Sequence, residues 1–280
     1  MLPIAGALFK IALLIMIMSV QKCPTFYATS FTFLMTTLGA AAVLISKKKP
    51  SPLFTKISLG FAAGIMIAAS VWSLLMPAID QLESDGKTAA FPVATGFILG
   101  AAFLMMLDKL MPHLHINSQE PEGPKTTLGK HQLLFLAMTI HNIPEGMAVG
   151  ISFVAAAAIN TPEAYSAAIA LTIGMGIQNV PEGTAVTLPL RASGMSSGKS
   201  FIFGVISGLV EPIAALIVVM LSTFFIPIMP WLLSFAAGAM IYVVIEELIP
   251  TARLGEHSDI GTIAVILGFV LMMVLDTSLG

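Results

Sequence analysis

Charged side chains are scarce in this chain of 280 residues: Asp, Glu, Lys and Arg make up 10% of it, against 57% hydrophobic residues. A soluble domain carries about 25% charged residues, so too few remain here to cover a water-facing surface. The chain reads as an integral membrane protein. Its one cysteine, Cys23, excludes an intrachain disulfide framework and carries no redox information. A net charge of −2 with no basic patch gives no nucleic-acid signature. No nucleotide-binding loop is present, which removes ATP as the driving force, and no His-Glu-x-x-His occurs.

What is there is apolar sequence in lengths that cross a bilayer, about 20 residues each. Eight core spans are expected at roughly 26–46, 57–79, 91–111, 131–155, 166–190, 199–223, 228–251 and 260–278. A further stretch, roughly 3–21, lies in the N-terminal segment 1–24. It lacks the small-x-small pattern of a cleaved signal peptide and reads as an extra helix, in which Lys10 must snorkel or face protein. Lys47, Lys48, Lys49 and Lys56 follow the first core span. Lys109, Lys125 and Lys130 lie in or beside the loop after the third, Arg191 and Lys199 after the fifth, and Arg253 after the seventh. The alternate loops hold only Lys22 and Lys87. Positive loops face the cytoplasm, so the C-terminus at Gly280 is expected outside.

Two pairs of spans repeat. Phe61-Ala62-Ala63-Gly64-Ile65-Met66-Ile67 is echoed by Phe235-Ala236-Ala237-Gly238-Ala239-Met240-Ile241, with Pro77 and Pro250 near the respective helix ends. Ile98-Leu99-Gly100 leads to Asp108 at the spacing by which Ile266-Leu267-Gly268 leads to Asp276. The second and third spans thus recur as the seventh and eighth, an odd offset that gives the copies opposite orientations. This is the inverted repeat of secondary transporters, which bind substrate near the midplane at the repeat interface. The expected fold is all-α, with repeats at about 25–112 and 199–280 and central helices at about 131–190.

Those central spans carry two nearly identical polar words, His141-Asn142-Ile143-Pro144-Glu145-Gly146 and Gln178-Asn179-Val180-Pro181-Glu182-Gly183. An ionisable group at membrane depth is expensive and reads as a functional site by default. In each word the first, second and fifth residues fall in one sector of a helix. Pro144 and Pro181 free the carbonyls of Ile140 and Ile177, which is tolerable only where backbone lines a cavity. Facing each other, the words assemble one imidazole, three amides and two carboxylates. Imidazole suits Zn, Cu, Fe or Ni; carboxylate and amide oxygen extend the list to Mn and Cd-like ions. Without thiolate this is not a tight structural zinc site, and mixed weak ligands suit an ion that must also leave. Glu211, followed by Pro212 in the sixth span, is a third buried carboxylate.

Here the residues resemble a known family. The paired words are similar to those of the ZIP (Zrt/Irt-like) divalent metal transporters, particularly the bacterial GufA-type branch. The likeness runs from about Thr25 to Gly280, through Phe61–Ala69, Gly208-Leu209-Val210-Glu211-Pro212 and the closing Leu275-Asp276-Thr277-Ser278-Leu279-Gly280. It implies eight core helices arranged 3+2+3, a ZIP-like domain over 25–280 and a binuclear centre in the fourth and fifth helices. One metal would meet His141, Glu145, Gln178, Glu182 and Met66. The other would meet Asn142, Asn179 and Glu211, with Glu145 and Glu182 bridging. Some relatives carry Asp at the position of Asn179, and the neutral amide weakens the second site. The resemblance further implies a metal entrance at Asp80 and Asp276, and an exit at Asp108, His113, His115, Glu246 and Glu247. The family often has His where Glu246 stands. No role is assigned to His131 or His257.

The expected function is transport of a divalent transition metal, Zn²⁺ first and Cd²⁺, Fe²⁺, Mn²⁺ or Co²⁺ as further substrates, into the cytoplasm. Alternating access is the mode the family implies, and the location is a bacterial inner membrane. The partners are the metal ions and the lipid bilayer, with a homodimer allowed and no cofactor or enzymatic activity. An intramembrane zinc hydrolase is the rival class, but it needs about three strong ligands and an open water position, and His141 is the one histidine of five in a membrane span. A Na⁺ or H⁺ carrier would use the carboxylates alone, and His141, Gln178 and Met66 favour a softer ion.

Overall fold

A computed structural model describes residues 2–45, 51–112, 123–127, 129–192, 194–253 and 259–279. These residues form eight long helices and no strand. Helix α1 is Leu2–Ile45 and α2 is Pro52–Ser84; α3 is Ala90–Leu110, α4 is Lys130–Ile159 and α5 is Pro162–Ala192. Helix α6 is Ser197–Met220. Helix α7 is Met229–Val243 continued through Val244–Leu248 and Ile249–Arg253, and α8 is Asp259–Leu279. Each expected core span has its helix. The N-terminal stretch is continuous with the first: backbone from residue 2 runs through Pro24 into the core helix without a turn.

By length and composition, seven described helices suffice to cross a membrane. The sequence expects eight, and the exception is α5. At 31 residues it is long enough, but its polar word dilutes its apolarity. It survives because it touches no lipid over most of its surface, being packed against α1, α2, α4, α6 and α8. The chain is a multi-pass membrane protein. Large apolar side chains such as Leu99, Ile217, Ile263 and Leu267 are exposed on α3, α6 and α8, which is where hydrocarbon replaces water as the solvent.

The repeated segments pack reciprocally. The most extensive contacts join α1 to α5, α2 to α8, α3 to α7, and α4 to α6. A Cβ at Gly64 would strike the backbone carbonyl of Val265, and one at its counterpart Gly238 would strike that of Phe97. Likewise Gly100 rests on the Phe235 carbonyl and Gly268 on that of Phe61. Each Phe-Ala-Ala-Gly segment is therefore seated on the third helix of the other copy, with glycine permitting backbone contact where lipid supplies no hydrophobic drive.

Both α2 and α7 widen into a π-helical turn soon after that segment, at Ser70–Leu75 and Val244–Leu248. Pro77 and Pro250 follow directly. Proline removes the donor that would close an α-turn and pushes away the carbonyl four residues back, and a wider turn accommodates both effects.

Candidate metal centre

Helices α4 and α5 are joined by Asn160 and Thr161, with Asn160 in the left-handed conformation that lets the chain reverse (φ 58°). They lie side by side and bring the two polar words together in the interior of the helix bundle. His141, Asn142, Glu145, Gln178, Asn179 and Glu182 are all buried, none more than 6% exposed. Pro144 and Pro181 sit inside unbroken helices. Glu211 of α6 and Met66 of α2 are buried as well.

Glycine sets the spacing. A Cβ on Gly146 would strike the Glu211 carbonyl, and one on Gly183 would strike that of Thr36 in α1. The two words are thus seated in the same way, the first on α6 at Glu211 and the second on α1 at Thr36.

The side chains divide into two groups. In the first, hydrogen bonds are complete on one side only. Asn142 donates to the Ser207 carbonyl at 2.9 Å, while its Oδ1 has no partner among the described residues. Both carboxylate oxygens of Glu145, both polar atoms of Gln178 and Oδ1 of Asn179 are also buried without a well-aligned hydrogen bond, although Gln178 and Glu182 lie close beside Glu145. Buried polar atoms are otherwise nearly always paired, so this concentration of oxygens fits a cation. Glu145 lies within electrostatic reach of Glu182 and Glu211, and of the Gln178 amide. A positive charge would relieve the repulsion among those carboxylates.

In the second group the Glu211 carboxylate is satisfied. Glu211 accepts from the Thr36 hydroxyl at 2.9 Å and from Nδ2 of Asn179 at 2.8 Å, one donor on each oxygen. Asn179 also donates to the Thr32 carbonyl at 3.2 Å. Among the described residues no group of three His, Cys, Asp or Glu is arranged to hold a metal by itself, so amide oxygens are needed to complete a coordination shell.

The outlying residues separate by exposure. Asp276 is buried near the end of α8 and accepts from Ser73, in the π-helical turn of α2, at 2.6 Å, whereas Asp80 is exposed. Asp108 is buried near the end of α3 and accepts from the Tyr242 hydroxyl at 3.4 Å. Of the adjacent pair in α7, Glu247 is buried and Glu246 exposed. His113 and His115 lie outside the described residues, as does His257.

Sequence reasoning missed Thr32, Thr36, Ser73 and the Ser207 carbonyl. A signal existed for the threonines. Thr25, Thr29, Thr32 and Thr36 recur at helical spacing along α1, and all four are buried on its inner face.

Fold and site together define a polytopic helical membrane protein with a buried polar centre between α4, α5 and α6. Residues 127–276 match the family model described as ZIP Zinc transporter. Zinc transporter ZIP11 of Homo sapiens is 37% identical over an alignment of 330 positions, covering 90% of this chain and 96% of the relative. Zinc transporter GufA of Myxococcus xanthus is 40% identical over 253 positions, covering 88% and 94%. Zinc transporter ZIPB of Bordetella bronchiseptica is 40% identical over 253 positions, covering 89% and 79%. The chain belongs to the ZIP family, whose members are transporters and not enzymes.

Proposed function

We propose that the protein carries zinc into the cytoplasm through a two-compartment centre in α4 and α5. The observation that carries this reading is the cluster of buried, unpartnered oxygens on Asn142, Glu145, Gln178 and Asn179, in a chain whose relatives are named zinc transporters. His141, Glu145, Gln178 and Glu182, with Met66, form the first compartment, and one imidazole among oxygen donors favours Zn²⁺ while admitting Cd²⁺, Fe²⁺, Mn²⁺ or Co²⁺. Asn142, Asn179 and Glu211 form the second, with Glu145 and Glu182 between the two.

Residues 25–280 are the transport domain, arranged 3+2+3 about an inverted repeat. The reciprocal seating of Gly64 on Val265 and of Gly238 on Phe97 supports that arrangement. The lysine-rich loops support a C-terminus outside a bacterial inner membrane. Asp80 and Asp276 then mark the entrance, and Asp108, His113, His115, Glu246 and Glu247 the exit. The segment before residue 25 extends the first helix of that domain.

The test is uptake. Purified protein in liposomes loaded with a zinc-sensitive dye should admit Zn²⁺ down its gradient, and His141→Ala should impair this. Sodium-dependent flux with no zinc uptake, indifferent to His141→Ala, would refute the reading.

A further inference from the structure

We infer that in this chain the second compartment is filled by hydrogen-bond donors in place of a second metal ion, so that the centre carries one divalent cation at a time. This deepens the transport reading above and rests on it.

The first argument is geometric. Glu211 is the carboxylate the second compartment owns, and it is already engaged. Its two oxygens take the Thr36 hydroxyl at 2.9 Å and the Asn179 amide at 2.8 Å. Asn179 is itself held by a bond to the Thr32 carbonyl, which fixes the amide with its N–H groups towards Glu211. A metal in this compartment would need the Glu211 lone pairs that these two donors take, and the remaining Oδ1 atoms of Asn142 and Asn179 carry no charge to replace them. Such donors stabilise a carboxylate much as a cation does.

The second argument is charge. Glu145, Glu182 and Glu211 give the enclosed centre at most three negative charges, while His141, Asn142, Gln178 and Asn179 as ligands give none. One divalent ion is balanced by Glu145 and Glu182, leaving Glu211 to its donors. Two would leave a net positive charge buried among apolar helices, an arrangement that burial penalises heavily.

The third is the near-symmetry of the centre. Gly146 sits on the backbone at Glu211, and Gly183 sits in the same way on the backbone at Thr36. A fully symmetric centre would carry a fourth carboxylate at Thr36, enough to neutralise two divalent ions. The chain has a hydroxyl there, within hydrogen-bond distance of Glu211 and of its own Thr32 carbonyl.

The experiment measures stoichiometry and affinity on the full chain in detergent. Zn²⁺ is titrated against a competing indicator dye, and bound metal is counted by elemental analysis. The wild type should bind one ion per chain. Asn179→Asp, which removes a donor and adds the missing charge, should bind two. Thr36→Val, which removes one donor from Glu211 without adding charge, should keep one ion per chain, as should Thr36→Ser. Two ions on the wild type would overturn the inference. So would a stoichiometry of one for folded Asn179→Asp. No zinc bound by the wild type would instead refute the transport reading on which the inference rests.

Discussion

Ser73 donates its hydroxyl hydrogen to Asp276 across 2.6 Å, tying the π-helical turn of α2 to the end of α8. The other oxygen of Asp276 is buried without a partner. Replacing Ser73 by Ala would leave the carboxylate short of this donor, a loss of about 1–3 kcal/mol for an unsatisfied buried group. Ser73→Ala should therefore lower the melting temperature of the purified protein, while Ser73→Thr stays near wild type. Equal melting of all three would mean that the bond contributes nothing.

Glu145 and Glu182 stand between both compartments. Alanine at either position should reduce vesicle uptake of Zn²⁺ to background, because the remaining carboxylate, Glu211, is engaged by Thr36 and Asn179. Glu211→Ala should reduce or retune uptake without abolishing it, since Glu211 is engaged by Thr36 and Asn179. Full transport by both Glu145→Ala and Glu182→Ala would dismiss the shared-carboxylate arrangement.

Gly146 and Gly183 leave no room for a methyl group against the Glu211 and Thr36 carbonyls. Backbone cannot step aside as a flexible side chain can, so Gly146→Ala or Gly183→Ala should cost about 1–3 kcal/mol by overpacking. Gly198, near the start of α6, has nothing within 4 Å of such a Cβ. Gly198→Ala is the control, and thermal melting in detergent separates the three.

Glu246 and Glu247 differ by one residue and by their surroundings. Alanine at exposed Glu246 should change stability by no more than about 0.5 kcal/mol. Glu247 is 2% exposed and makes a bound contact, so Glu247→Ala should lower the melting point by several degrees. Uptake rates of the two variants, compared at equal amounts of folded protein, would show whether either lies on the metal's way out.

The helices were legible because hydropathy alone marks a crossing, and the two polar words were legible because a carboxylate at membrane depth needs a reason. The words also named their own partners, since the same motif occurs twice. What α1 brings to the centre was not legible. Threonine in an apolar helix commonly bonds back to its own carbonyls, as Thr29 and Thr32 do here, and nothing local distinguishes Thr36, which reaches Glu211 as well. The π-helical turns were half legible: Pro77 and Pro250 mark a disturbed helix, but the width of each turn depends on what packs alongside, chiefly α7 against the turn of α2 and α2 against that of α7. Helical geometry says that Glu246 and Glu247 face different ways, and only the neighbouring helices decide which faces in. The near-symmetry of Glu211 and Thr36 could not be read from residue types, because one is charged and the other is not.

Helix α5 pairs a span's length with too little apolarity to cross a membrane by composition, and it reverses out of α4 through only Asn160 and Thr161. Insertion into a bilayer is governed residue by residue by transfer free energy, with polar side chains at the helix centre opposing it. By composition α5 therefore has little drive of its own to partition into lipid, and its place in the membrane depends on its neighbours, α1 most of all. The polar word at its centre thus ties this helix to the rest of the bundle.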